Sequence, residues 1–206
     1  MKKHFFKWIE YAFRPQSIVP LKDLVNNIFI AKELPVESSY KAMGIVTHGA
    51  IKLPLVLSSS HDIEVLDDFI PSGHTSPLKN NSVLFNPDDL SLISIFILDS
   101  KLECYPDAGI GVIEAKDANK AFFIAWYLSI QDVAEFLSAQ DIDPIVALYS
   151  LGTPGNVRTD DTLRKNLYSM FEAETRIMSN AKDMIKRLDT MKEELIKEVG
   201  ICNVAN

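Results

Sequence analysis

From Asp160 to Val199 the chain contains neither proline nor glycine. Apolar residues recur at Leu163, Leu167 and Met170, then at Ile177, Ala181, Met184, Leu188, Met191 and Leu195. The spacings alternate four and three, and Glu174 is the one charged member of the series. A stripe repeating every ~3.5 residues is the a/d face of a heptad helix. Thr159 or Asp160 can cap its start, and Gly200 stops it. At ~1.5 Å per residue the rod is about 60 Å long. Acid-first pairs four apart support it: Asp160–Arg164, Asp161–Lys165, Glu172–Arg176, Asp183–Arg187 and Glu193–Lys197. Each contributes only ~0.2–0.5 kcal/mol, so burial of the stripe has to hold the helix.

No other segment offers a matching long heptad run. Two solutions remain open. The helix folds back on the body of its own chain, or it lies against another chain. Met at three stripe positions suits an adaptable contact more than a tight zipper. Leu163, Leu167, Met170, Ile177, Met184, Leu188, Met191 and Leu195 are therefore the candidate partner-binding residues.

The 159 residues before the rod carry mixed patterns. Residues 4–13 place Phe5, Trp8, Ile9, Ala12 and Phe13 at helical spacing, ended by Pro15, as a helix docked on a core or lying on a membrane surface. Pro20 is expected to open a second helix, with a stripe of Leu21, Leu24, Val25, Ile28 and Phe29, that Pro35 closes. Gly44–Thr47 and Ala50–Leu53 flank His48-Gly49 as a hairpin would. One of Ser58–Ser60 can cap a short helix reaching Phe69, and residues 71–82 have loop composition. Leu90–Leu98 is a strand with both faces covered, and Leu102–Tyr105 and Gly111–Ile113 can extend its sheet antiparallel. Asp117–Ser138 and Pro144–Leu151 read as helices, and Gly152–Asn156 breaks the chain. The predicted class is α+β: a small, mostly antiparallel sheet packed with helices, then a long C-terminal helix. The expected division is a body over 1–159, the helix over 160–199 and a tail over 200–206.

Chemistry-bearing motifs are sparse. Ser58-Ser59-Ser60-His61-Asp62 gathers nucleophile, base and acid, but adjacent side chains diverge and real triads assemble from distant segments. Gly109-Ile110-Gly111 lacks the third glycine of a dinucleotide loop, and Gly152-Thr153-Pro154-Gly155 lacks the Gly-Lys of a phosphate loop. His48, His61 and His74 have no tight ligand spacing, and Asp88-Asp89 fits a turn better than a Ca²⁺ loop. Phe122, Phe123, Trp126 and Tyr127 read as core. No catalytic residue, metal or cofactor is expected, and the chain is read as non-enzymatic. The rival readings are an enzyme with a site near His61, His74 and the loop 71–82, and a homodimer joined through the helix.

Charge narrows the partners. The net charge is -7, and residues 60–114 hold 10 acidic against 2 basic residues. An acidic surface repels phosphate backbones, so nucleic acid is not expected and a partner with basic segments is. No stretch is apolar enough to span a membrane. Two distant cysteines, Cys104 and Cys202, read as free thiols of a reducing compartment, so the expected location is cytoplasmic.

The Lys2-Lys3 opening with Phe5, Phe6 and Trp8, the acidic balance, the α+β body and the long terminal helix together resemble the LvgA-like adaptor subunits of the Dot/Icm type IVB secretion system. The resemblance covers the whole chain and rests on no diagnostic motif. It implies a cytoplasmic, chaperone-like virulence adaptor. Its implied partners are the IcmS and IcmW adaptors and the tail of the DotL coupling ATPase, to which it would recruit effectors. No site residue carries over.

Overall fold

The computed structural model describes residues 18–32, 36–38, 42–52, 55–66, 69–71, 76–155 and 157–198. The expected helix over 4–13, His74, Cys202 and the tail lie outside them. In chain order the strands are β1 (Ile18–Pro20), β2 (Val25–Ile30), β3 (Val36–Ser38), β4 (Met43–Val46), β5 (Leu55–Ser58), β6 (Glu64–Leu66), β7 (Phe69–Pro71), β8 (Val83–Asn86), β9 (Asp89–Ile97), β10 (Cys104–Pro106), β11 (Gly111–Ala115) and β12 (Gly152–Pro154). The helices are α1 (Ala118–Ser129), α2 (Gln131–Ser138), α3 (Pro144–Ser150) and α4 (Asp161–Glu198). The chain is an α+β protein with a long C-terminal helix, as its patterning predicts.

The central sheet has five strands in the order β2-β11-β8-β9-β5. Its pairs are antiparallel except β5 with β9. Alternation along each strand sends residues to opposite faces. Val83, Phe85, Ile93, Ile95 and Ile113 join Val25 and Ile28 in one core under α1, α2 and α3. Leu84, Phe96 and Val112 point the other way, into a second core with Val46, Leu57 and Cys104. A three-stranded sheet, β10-β4-β6, contributes to that side, with β4 parallel to β10 and antiparallel to β6.

Gly111 sits opposite Phe85, and a Cβ there would overlap the Phe85 ring, so the close backbone approach requires glycine. Gly109 turns the chain into β11 at φ 83°, a left-handed conformation that glycine adopts without strain. His48 donates to the Ala108 carbonyl beside it at 2.7 Å.

Several expectations are corrected. The segment after Pro20 is one 3₁₀ turn, Leu21–Asp23, and then strand β2, not a helix. Val25 and Ile28 are three apart, which suits one helix face. Here a bulge in the β2–β11 ladder, where Glu114 meets Asn27 but Ala115 meets Val25, lets both enter the same core. No hairpin forms at His48-Gly49. A 3₁₀ turn, His48–Ala50, redirects the chain, and β5 pairs with β9 rather than with β4. The helix expected up to Phe69 is replaced by β6 on β4 and β7 on β3. The long helix from Asp117 is two helices. Asp117 caps α1 by accepting the Lys120 N–H, and the chain breaks at Ile130, whose extended backbone starts α2 in a new direction. Gly152–Pro154 is not a bare break but a strand on β1, held also by the Thr153 hydroxyl donating to the Val19 carbonyl at 2.7 Å.

Candidate functional site: the long helix and its root

Asp160 caps α4. Its carboxylate accepts the N–H groups of Thr162 and Leu163 at 3.1 and 3.0 Å and pairs with Arg158 at 3.0 Å. The predicted Asp160–Arg164 pair is therefore replaced: Arg164 meets Asp161, three residues away, and Lys192 likewise meets Asp189. Three-residue spacing serves such pairs as well as four.

The stripe divides sharply. Leu167 and Phe171 are buried in the helix-side core, with Leu163 and Met170 packed against it. Phe171 stacks on Phe122 of α1 at 6.1 Å, and Tyr168 tilts against the same ring at 6.0 Å. Leu163, Leu167 and Met170, expected to bind a partner, are thus covered by the chain's own body. Their spacing is the same whichever surface covers them. Glu174 marks the transition; it is half-buried, and burial raises its carboxyl above the ordinary range.

From residue 176 to residue 194 every side chain is exposed. Ile177 is 67% exposed, Met184 64%, Leu188 53% and Met191 56%. Ile185, which the stripe reading passed over, is 60% exposed beside them. Leu195 shares the register, but its side chain lies outside the described residues. The helix runs unbroken from Asp161 to Glu198. Exposed apolar residues sharing one helix register make this half of α4 a candidate contact surface.

The serine-rich motif proves structural. Ser58 and Ser60 donate to Asp99 Oδ2 at 2.7 and 3.0 Å, and Ser59 donates to Oδ1 at 2.9 Å. The Ser59 oxygen accepts the N–H groups of Asp99 and Ser100 at 2.9 Å each, and Asp62 accepts the Ser58 N–H at 2.8 Å. The hydroxyls thus serve Asp99 rather than His61. The Ser58 hydroxyl, followed by Ser59 and Ser60, holds the Asp99 carboxyl down at about 2, against the opposing effect of desolvation. Nearby Cys104 is a free thiol pushed up to about 11, first by burial and then by the Asp99 charge, so it is a poor nucleophile. Among the described residues no group of three or more His, Cys, Asp and Glu side chains could hold a metal ion. No helix there is long and apolar enough to cross a membrane.

No family profile and no curated protein matches the sequence. Solved structures do match the fold. One is from work on complex assembly and conformational transition of the type I restriction–modification system, with a TM-score of 0.54 and 13% identity, covering 94% of this chain and 47% of that chain. Another is the HsdS subunit from Thermoanaerobacter tengcongensis, with a TM-score of 0.51 and 13% identity, covering 82% and 39%.

The chain shares the fold of these structures and spans less than half the length of either chain.

The type I S subunit of M. genitalium also matches, with a TM-score of 0.48 and 14% identity over 93% and 47% of the two chains. The likeness to these structures corrects the functional expectation. The similar structures come from restriction–modification systems, not from a secretion adaptor complex. This overturns the adaptor role, the implied IcmS, IcmW and DotL partners, and the exclusion of nucleic acid. Net charge averages over the whole surface, so an acidic total does not by itself exclude a local contact with nucleic acid.

Proposed function

We propose that this chain is a non-enzymatic, cytoplasmic module of a type I restriction–modification system, an S-subunit-type element that recognises a DNA target and carries an assembly helix. One observation carries the reading: body and long helix together follow the restriction–modification structure over 94% of the chain. The α+β body is the part that contacts DNA, and α4 joins it to the rest of the assembly. Cleavage and modification belong to other chains.

With a net charge of -7, the sequence-independent attraction to phosphate is small. The test is selection of duplex DNA from a randomised pool by the full-length protein at low salt. A single enriched motif, bound in fluorescence anisotropy and lost on scrambling, is the expected result. A pool that returns with no enriched sequence overturns the reading.

A further inference from the structure

We propose that residues 4–13 dock as an amphipathic helix on the outer face of α2 and α3, over Phe136, Ile142 and Val146 of the same chain. The proposal stands apart from the DNA reading and uses none of its premises.

The face is built by two consecutive helices. α2 buries Val133, Ala134 and Leu137, and α3 buries Ala147 and Leu148. What they turn outward is apolar as well. Phe136 is 43% exposed, Ile142 in the connecting loop 48%, and Val146 on the first turn of α3 54%. The Asp143 carboxylate fixes that turn by accepting the N–H groups of Ile145 and Val146 at 2.8 and 3.2 Å. The surroundings are acidic. Asp132, Glu135, Asp141 and Asp143 are all exposed, and no lysine or arginine occurs between Lys120 and Arg158. An apolar patch rimmed by charge of one sign suits a partner that is apolar and of the other sign.

The first seventeen residues have that chemistry. Phe5, Trp8, Ile9, Ala12 and Phe13 fall on one helical face. Lys2, Lys3, Lys7 and Arg14 stand against the single acid Glu10, a net charge of +3. At about 100° per residue, Lys3, Lys7 and Arg14 lie opposite the apolar face, so they steer the segment without pairing inside the contact.

The segment also ends in the right place. It leads into Ile18, and Ile18–Pro20 pairs with Gly152–Pro154, which follows α3 directly. Two strand residues, one rung, two residues back to Ser150 and four along α3 put Val146 within roughly 25 Å of Ile18. The link from residue 13 to residue 18 spans up to about 17 Å and a ten-residue helix about 15 Å, enough to reach the face within one chain.

The experiment uses the full chain with Trp126→Phe, which leaves Trp8 as its sole tryptophan. Trp8 emission is expected to be blue-shifted from that of tryptophan in water, at every protein concentration. It is expected to move to the water value in I142D/V146D, on the face, and in F5D/I9D, on the segment, while the body still unfolds cooperatively. A nitroxide attached at the rim through Asp141→Cys, in a Cys202→Ser background where Cys104 is buried, is expected to quench Trp8. This last readout holds even if I142D/V146D fails to fold. Absence of that quenching, or a blue shift that a folded I142D/V146D retains, overturns the proposal. So does a parent emission at the water value that shifts only when vesicles of phosphatidylglycerol and phosphatidylcholine are added, which would make the segment a membrane-surface helix. A blue shift lost on dilution assigns the contact to a second copy and overturns it too.

Discussion

Asp99 shows how much one carboxylate can organise. It ties Ser58, Ser59 and Ser60, at the end of β5, to the turn that follows β9. Its folded-state value of about 2 lies below the ordinary 3.8. The carboxylate therefore stabilises the fold fully above 3.8, and that contribution is lost as pH falls towards 2. Asp99→Asn, followed by chemical denaturation across that window, is expected to be less stable than the parent at neutral pH and to show a flatter acid dependence. An unchanged acid limb would mean that the serine cluster contributes no linkage. Gly111 constrains the same sheet by absence. Gly111→Ala presses a methyl into the fully buried Phe85 ring and is expected to cost about 1–3 kcal/mol, read as a lowered denaturant midpoint. Adding Phe85→Leu should recover part of that loss, since the ring is what the methyl meets.

The two halves of α4 differ in what they stabilise. Phe171→Ala empties a core position and should cost about 3–5 kcal/mol of body stability. Leu188→Ala, at an exposed position on the same helix, should leave the thermal midpoint of a dilute sample unchanged; calorimetry on the two variants separates them. The sequence revealed this helix almost residue by residue, because a long uninterrupted heptad has no competing solution. It revealed β9 for a similar reason, since a β-branched run such as Ile93–Ile97 fits poorly in a helix. It misread β2, because a bulge makes a strand imitate helical spacing, and it merged α1 with α2, because neither proline nor glycine marks Ile130. Within the stripe, Leu167 and Leu188 have equivalent heptad positions, yet one is buried and the other exposed. Only the tertiary placement of α1 separates them.

For the molecule as a whole, the acidic balance sets an expectation that a basic DNA binder would not meet. On the proposed DNA-recognition role, log affinity for a selected duplex should fall only shallowly with log salt; anisotropy at several salt concentrations checks the slope. A steep slope would point to a concentrated basic face that the overall composition hides. The helix root has a mechanical consequence. In the β1–β12 ladder Ile18 faces Pro154 and Pro20 faces Gly152, so the chain arriving at 18 and the chain leaving 154 depart from the same end of a three-residue pair. A load pulling those two strands apart opens the ladder one rung at a time instead of shearing it whole. Tension transmitted through the long helix would therefore reach this small zipper only once the packing of Leu167 and Phe171 in the core has given way.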